Sequence, residues 1–298
     1  MKVGVTGSSG LIGSSLRKGI ESIGWEAVAI PRDYFDGSDR TTSSSKFDHS
    51  LDSVDAVVHL AGENIASGRW TDRRKSLIRD SRVNGTRRLS EVLVERITPP
   101  SVLVLASAIG FYGDRGNELL NESSKAGIGF LSDVCQIWEA AAEPARSAGI
   151  RVVHLRIGIV MAQTGGALRK MLMPFKLGIG GVIGSGSQYM SWISLDDVIG
   201  GVLHALHAKG LEGPVNLVSP NPVTNSDFTK TLGRVLRRPT IIPVPSFALR
   251  LVLGEMAEAL LLASTRVEPS RLVDSGYSFK FPNLEDALSH TLEIPSSK

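Results

Sequence analysis

The chain has 298 residues, with 33 basic and 30 acidic side chains, 42% hydrophobic residues and one cysteine. This length suits about two lobes, or equally one large α/β domain with an appendage, and it allows a core that needs no covalent cross-links. The single cysteine, Cys135, excludes an intramolecular disulfide and a cysteine-rich metal site, and it favours a reducing compartment, which we expect to be the cytoplasm. Charged residues interrupt the longest apolar stretch, 247–263, so we expect no membrane span and no membrane partner.

The first half of the chain alternates between strand-like and helix-like segments. Its strand-like segments are continuous apolar runs, which are typical of parallel strands covered on both faces by helices. In chain order, the sequence predicts strands at 3–6, 27–30, 56–60, 102–106 and 152–156, and helices at 11–23, 71–95 and 128–147. We therefore predict an α/β fold of the Rossmann type, with a doubly wound parallel sheet.

The second half of the chain is less regular, because glycines concentrate at 178–186 and prolines at 214–245. Helical patterns return at 226–236 and 246–263. We predict an NAD(P)-binding Rossmann domain over residues 1–165, with a return segment at about 187–220. We assign residues 166–186 and 221–298 to a smaller α/β C-terminal lobe on the substrate side.

A glycine-rich turn follows the first predicted strand, with Gly7, Gly10 and Gly13 spaced three residues apart. This spacing suits a dinucleotide pyrophosphate, because it permits a tight turn, a close approach of the backbone to the phosphates and close helix packing. The helix that follows offers free N–H groups at its positive end. The alternative is an ordinary structural turn. The predicted cofactor contacts here are Gly7, Ser9, Gly10, Leu11, Ile12 and Gly13.

The residue that follows the second predicted strand selects between NAD and NADP. Arg32 is the first charged residue after that strand. A guanidinium group matches the 2′-phosphate of NADP, so NADP (NADPH) is favoured. The adjacent Asp33 keeps NAD open as the alternative.

Further motifs continue from the glycine-rich turn to the C-terminal third of the chain. They are TGSSGLIG (6–13), DAVVHLAGEN (55–64), RVNGT (82–86), SAIGFYG (107–113), WEAA (138–141), LRIGIV (155–160), GGVIGSG (180–186), WI with DD (192–197) and LGEM (253–256). Over its whole length the chain resembles the extended short-chain dehydrogenases/reductases. It is most similar to their epimerase-family branch of NADP-dependent oxidoreductases, which carry a C-terminal domain of unknown function.

The resemblance implies a Rossmann fold that binds NADP and acts on a small molecule. It also implies a set of cofactor contacts beyond the glycine-rich turn. These are Leu60, Ala61 and Gly62 on the adenosine side, Glu63 at the pocket entrance, Arg82 and Ser107 near the cofactor, Ile159 beside the nicotinamide ring, and Phe47 with Asp48 near the adenine.

The chain departs from this family at the catalytic dyad, Tyr-x-x-x-Lys, in which the tyrosine transfers a proton while hydride moves. No tyrosine of this chain has a lysine four residues later. Counting from Glu139 places the two dyad positions at Leu131 and Cys135. The remaining candidate catalytic residues are Ser107 and Tyr112, with a bound water as the alternative proton donor.

Two hypotheses for function follow. The leading one is an NADP-dependent oxidoreductase or epimerase-like enzyme that acts on an unidentified small molecule. The alternative is a non-catalytic NADP(H)-binding regulatory or scaffold protein, which the missing dyad motivates. We expect no metal, because the six histidines are scattered along the chain. We expect no nucleic-acid partner, because the basic cluster at 69–88 has no interleaved aromatic residue besides Trp70. The sequence leaves the oligomeric state open.

Overall fold

The computed structural model describes residues 1–32, 51 and 54–294. In this part of the chain the strands are β1 (Lys2–Thr6), β2 (Glu26–Ile30), β3 (Ala56–His59), β4 (Val102–Ala108), β5 (Leu119–Leu120), β6 (Arg151–Ile157), β7 (Ile159–Met161), β8 (Tyr189–Met190), β9 (Trp192–Ser194), β10 (Gly213–Leu217), β11 (Val223–Thr224) and β12 (Arg266–Val267). The helices are α1 (Leu11–Ser22), α2 (Asp72–Val94), α3 (Phe130–Ala140), α4 (Glu143–Ser147), α5 (Gly166–Lys176), α6 (Leu195–His207), α7 (Asn225–Leu236), α8 (Ser246–Leu253), α9 (Glu255–Ala257), α10 (Ser270–Asp274) and α11 (Leu284–Thr291).

Six of these strands form a central sheet in the order β10-β6-β4-β3-β1-β2, and all neighbours are parallel. The chain passes from β1 to β2 on one side and then crosses back to β3 on the other side of β1. In a doubly wound sheet, ligands bind at such a reversal, beyond the carboxyl ends of the strands. The predicted parallel, doubly wound architecture is confirmed.

The register of the strands brings the predicted cofactor residues together at the carboxyl ends of the strands. Thr6, the last residue of β1, pairs with Ile30 on one side and with His59 on the other. The glycine-rich turn, Arg32 and the segment from Leu60 onwards therefore leave the sheet at the same level.

Hydrophobic side chains cover both faces of the sheet, as the continuous apolar runs predict. Neighbouring residues of a strand point to opposite faces. Val58 belongs to the cluster under α1 and α6, whereas Val57 belongs to the cluster with Leu89 of α2. Both valines are fully buried, which explains why β3 has no polar alternation.

A third hydrophobic cluster lies in the C-terminal part, where α5, α7 and α11 surround the buried Trp192. The indole Nε1 of Trp192 donates to the Asn221 carbonyl oxygen at 2.9 Å. This cluster is separate from the two clusters that cover the sheet, and it includes Met161 and Met190 from the predicted Rossmann segments. The exact division into residues 1–165, 166–186, 187–220 and 221–298 stays a prediction.

Two predicted helices are interrupted, and the predictions of single helices there were wrong. The helix predicted at 128–147 is two helices, because Pro144 lies in the first turn of α4 and cannot continue α3. The helix predicted at 246–263 ends at Gly254, whose φ of 62° is a left-handed conformation that glycine adopts without strain. A π-helical turn at Glu258–Leu262 follows.

Three predicted features fall outside the described residues, namely Asp33, Phe47 and Asp48. Within residues 1–32, 51 and 54–294, no helix is long and apolar enough to cross a membrane. In the same ranges, no group of three His, Cys, Asp or Glu side chains is arranged to hold a metal ion.

Asp197 at the start of α6 offers a test of the packing between this helix and the segment around Lys280. Its buried carboxylate accepts hydrogen bonds from Ser194 Oγ at 2.7 Å, from Lys280 N at 2.7 Å and from Phe281 N at 3.0 Å. Asp197→Ala leaves these donors unsatisfied, so we expect the free energy of unfolding to fall by about 2–4 kcal/mol in urea denaturation. Asp227→Ala, at an exposed cap of α7, should lower it by about 1 kcal/mol or less. Equal losses in the two variants would contradict this role.

Candidate functional site

The glycine-rich turn is too tightly packed to accept side chains. Gly7 has a φ of 62°, and a Cβ atom there would lie 2.9 Å from the backbone of Leu60 and Ala61. A Cβ on Gly13 would lie 2.2 Å from the Gly7 carbonyl oxygen. Helix α1 begins directly after Gly10, which provides no side-chain cap. The backbone N–H groups of the first helical turn are therefore available for an anion.

Thr6 connects this turn to the end of β3. Its Oγ1 accepts hydrogen bonds from Leu60 N at 3.0 Å and Ala61 N at 3.3 Å, and it lies 2.8 Å from His59 Nδ1. Burial lowers the pKa of His59 to about 4, so the imidazole is neutral at physiological pH. Because the Thr6 oxygen already accepts two hydrogen bonds, its own proton is directed to Nδ1, and His59 carries its proton on Nε2. Sequence reasoning missed both residues.

Three arginines surround Glu63 beside this turn. Arg32 Nη2 lies 3.5 Å from Glu63 Oε2, and Arg74 Nη1 lies 3.0 Å from Oε1. Arg82 Nη1 donates to the Glu63 carbonyl oxygen at 3.0 Å. The hydrogen bond from Arg74, followed by its charge and that of Arg32, lowers the pKa of Glu63 below its ordinary value. The cluster carries three positive charges and one negative charge. Its net positive charge makes it suited to bind a further anion.

Arg82 and Arg74 reach the cluster from helix α2, about two turns apart from each other on the same face. Arg82 also donates to the Ile78 carbonyl oxygen at 3.0 Å, and its guanidinium lies 5.1 Å from the ring centre of Trp138. Burial lowers the pKa of Arg82, but an arginine stays charged at physiological pH. Arg74 donates in addition to Asn64 O and to the Ser67 hydroxyl, which fixes the loop after Glu63.

Ser107, a predicted catalytic residue, belongs to a buried network. Its Oγ donates to Glu139 Oε1 at 2.7 Å. Arg156, which pairs with Ser107 across β4 and β6, donates to Oε1 from Nε at 2.9 Å and to Oε2 from Nη2 at 2.8 Å. The bidentate pair holds the carboxylate in one orientation and thereby orients the Ser107 hydroxyl.

Tyr112, the other predicted catalytic residue, extends the same network and is fully buried. Its hydroxyl accepts a hydrogen bond from Arg156 Nη1 at 3.0 Å and donates to Asn216 Oδ1 at 2.7 Å. Burial raises the pKa of Tyr112. Asn216 belongs to β10, so the network joins the ends of β4, β6 and β10. A direct proton transfer from Tyr112 to a substrate stays a prediction, and this arrangement does not favour it.

The two positions of the missing dyad are filled by apolar or inert side chains. Leu131 packs on Gly110, where an added Cβ would lie 3.2 Å from Leu131 Cβ. Cys135 is buried, its Sγ lies 3.7 Å from the Ala108 carbonyl oxygen, and burial raises the pKa of its thiol to about 12. Neither side chain can supply the positive charge with which a lysine lowers the pKa of a neighbouring tyrosine.

Two further predicted contacts, Ile159 and Leu11, lie near the segments that lead to α5. Ile159, the first residue of β7, is half-buried, and its N–H donates to Ser191 O at 2.9 Å. Leu11 reaches toward the loop before α5, since a Cβ on Gly165 would lie 3.3 Å from Leu11 Cδ1. Lys170 of α5 spans the mouth of the crevice, with its Nζ 2.7 Å from the Ala66 carbonyl oxygen.

The glycine-rich loop at 178–186 packs against a neighbouring segment. Gly181 pairs with Ile241, and Ile183 pairs with Val244 in isolated bridges. A Cβ on Gly181 would overlap the Ile242 carbonyl oxygen at 1.6 Å. The glycine at 181 thus permits close backbone packing.

The chain belongs to the NAD dependent epimerase/dehydratase family, whose model matches residues 3–217. A second model, the domain of unknown function DUF1731, matches residues 244–291. The family resemblance that the sequence motifs indicate is confirmed.

Individual relatives cover the whole chain. Epimerase family protein Mb2239 of Mycobacterium bovis is 41% identical over 297 residues, which is 98% of each chain. The crystal structure of human epimerase family protein SDR39U1 (isoform 2) with NADPH is 34% identical, with a TM-score of 0.90, and the match covers 98% of this chain and 99% of that one. The nucleoside-diphosphate sugar epimerase of Corynebacterium glutamicum is also 34% identical, with a TM-score of 0.78, and the match covers 98% of this chain and 58% of that one.

The glycine-rich turn gives a prediction about stability. Gly13→Ala places a methyl group against the Gly7 carbonyl oxygen, so the start of α1 must move away from the turn. We expect the free energy of unfolding to fall by about 1–3 kcal/mol in urea denaturation. Gly210→Ala is the matched control, because nothing lies within 4 Å of its Cβ position, and it should change stability by about 0.5 kcal/mol or less. A fully stable Gly13→Ala variant would contradict the packing described here.

Proposed function

We propose that this protein is an NADPH-dependent oxidoreductase of the epimerase/dehydratase class that acts on a small molecule. The observation that carries the proposal is the crevice between β1 and β3. On one side the glycine-rich turn leaves the first turn of α1 uncapped, and on the other side Arg32, Arg74 and Arg82 surround one carboxylate. Such a crevice suits an extended ligand with several phosphate groups.

The preference for NADPH over NADH rests on Arg32. Its side chain is 59% exposed and lies 3.5 Å from Glu63 Oε2, so the guanidinium is held at the crevice and stays accessible. Arg74 shares Glu63 with Arg32 and partly neutralises the carboxylate. A 2′-phosphate therefore meets a net positive site. The NADPH in the crystal structure of the human relative agrees with this assignment.

When bound, the nicotinamide exchanges a hydride with the substrate. We assign the chain's own residues to binding and positioning. Gly7, Gly10 and Gly13 admit the pyrophosphate, and Ile159 forms the wall beside the ring. The hydroxyls of Ser107 and Tyr112 already donate to protein acceptors, so we assign them to positioning the strand ends, with a bound water as the proton carrier.

The basic segment 69–88 supports a role in folding and cofactor binding over nucleic-acid binding. Several of its side chains already have protein partners. Lys75 pairs with Glu255, Arg79 with Asp80 and Arg88 with Glu91, while Arg74 and Arg82 hold the segment around Glu63. We accordingly propose a small-molecule substrate in the cytoplasm and no nucleic-acid partner.

Arg32→Ala tests the choice of cofactor. The variant loses a charge-assisted contact to the 2′-phosphate, so we expect the Kd for NADPH to rise by about 10–100-fold while the Kd for NADH changes by about twofold or less. Fluorescence titration of each dinucleotide measures both constants. Arg234→Ala, which removes an exposed ion pair with Glu285 in α11, should leave both unchanged. Equal losses of NADPH and NADH binding in Arg32→Ala would contradict the phosphate role.

A second candidate function is a non-catalytic NADPH-binding protein that regulates a partner. Leu131 and the neutral, buried Cys135 at the dyad positions favour it. The two functions are separated by NADPH oxidation with panels of carbonyl compounds and sugar nucleotides. Turnover that is lost in Gly10→Val, whose side chain would fill the pyrophosphate position, supports the enzyme. Tight NADPH binding without turnover on any panel supports the regulator.

A further inference from the structure

Two helices of the C-terminal part carry the same side-chain pattern on an exposed face. At the end of α5, Met173, Lys176 and the C-cap residue Leu177 follow each other at i, i+3 and i+4, and all three are exposed. Residues at this spacing share one helix face. The face therefore alternates apolar and basic side chains in direct contact with water.

Helix α8 repeats this pattern with Phe247, Arg250 and Leu251. Phe247 is 70% exposed and Leu251 is 76% exposed. None of the described residues of α8 is buried. An eight-residue helix with this composition is stable through its contacts, since isolated helices of this length are marginal in water.

The segment before α8 connects the two helices into one surface. Ile241 pairs with Gly181 and is 84% exposed. Arg238 Nε donates to the Lys176 carbonyl oxygen at 3.0 Å, at the end of α5. We call residues 169–179 and 237–252 together the basic apolar surface. Its large exposed apolar side chains are Met173, Leu177, Ile179, Ile241, Ile242, Phe247, Leu251 and Val252.

The charge of this surface has a single sign. Residues 169–179 and 237–252 contain three basic side chains each and no acidic residue. Of these, Arg250 pairs with Glu258 just outside the surface. Lys176, Arg237 and Arg238 make no ion pair within the described residues. The unneutralised charge lies directly beside the apolar side chains, and a partner must therefore be anionic and apolar at once.

We propose that the basic apolar surface docks the protein on a membrane rich in anionic lipids. Phe247, Leu251 and Ile241 are 70%, 76% and 84% exposed, and a lipid interface can accept such side chains without any matching pocket. The long stem of Lys176 allows its charge to reach headgroup phosphates while its methylene groups stay among the apolar side chains. The sequence-based expectation of no membrane partner came from the lack of a spanning segment, and surface docking requires none.

A second copy of the chain is a poorer occupant of this surface. A two-fold interface brings the same patch of both copies together. Lys176, Arg237 and Arg238 would then face their own equivalents, and like charges across an interface oppose association. This inference stands independently of the proposed enzyme activity, because the residues on which it is tested (Lys176, Arg238, Phe247 and Leu251) are not among the predicted cofactor contacts.

Vesicle flotation of the full-length protein tests the proposal. We expect the protein to float with vesicles of phosphatidylcholine and phosphatidylserine, and to remain at the bottom of the gradient with vesicles of phosphatidylcholine alone. Salt should release the protein from the anionic vesicles. Lys176→Gln with Arg238→Gln should weaken binding about fivefold per charge removed. Phe247→Ser with Leu251→Ser should weaken it about tenfold or more.

Matched control variants distinguish binding through this surface from nonspecific adsorption of the protein to vesicles. Ile97→Ser and Ile128→Ser replace side chains that are almost fully exposed outside the surface, and Arg88→Gln removes an exposed charge of α2. These controls should float like the unchanged protein. Thermal unfolding should be the same for all variants, because exposed substitutions alter stability little.

Three results would overturn the proposal. One is the absence of flotation with either vesicle, which would leave an acidic protein as the occupant. Another is equal flotation of the Phe247→Ser, Leu251→Ser variant and the unchanged protein. The last is that the unchanged protein sediments as a dimer and binds no lipid, while the Phe247→Ser, Leu251→Ser variant sediments as a monomer. This result would assign the surface to a second copy of the chain.

Discussion

The close approach of the glycine-rich turn to the end of β3 is the constraint on which the rest of the site depends. Gly7 lies so near Leu60 and Ala61 that no side chain fits between them, and the Thr6 hydroxyl holds the two backbones with hydrogen bonds. This contact sets the width of the crevice and the direction of α1. Arg32 leaves β2 at the same level and faces the same opening. Binding of a dinucleotide thus requires little rearrangement of the backbone, which favours affinity.

The buried network around Arg156 also holds separate strands together by hydrogen bonds, at the ends of β4, β6 and β10. It ties Ser107 of β4 to Tyr112 and, through Asn216, to the edge strand β10. Removing Glu139 would leave the Arg156 charge buried and uncompensated, which is far more costly than losing an exposed ion pair. The network explains why hydroxyl groups near the family's catalytic positions are present in a chain that lacks the dyad.

Local patterns were sufficient to predict the parallel sheet and the turn at Gly7, because those features depend on residues that are close in sequence. The arginine cluster was predictable only in part. Arg32 and Arg82 could be named from motif positions, whereas the contact of Arg74 with Glu63 depends on how α2 packs beside the crevice. For Ser107 and Tyr112, the motif predicted that both residues lie near the end of a strand. It did not predict where their hydroxyl groups point, because that depends on hydrogen-bond partners such as Arg156 of β6 and Asn216 of β10. Single helices were wrong where Pro144 and Gly254 interrupt them.

The most direct test of the proposed cofactor site is a crystal structure of this protein grown with NADPH. We predict the pyrophosphate over the start of α1, within roughly 3 Å of the backbone N–H groups after Gly10. We also predict the 2′-phosphate against Arg32, with the nicotinamide ring beside Ile159. A dinucleotide bound away from the glycine-rich turn, or a 2′-phosphate that points into solvent away from Arg32, would contradict the assignment.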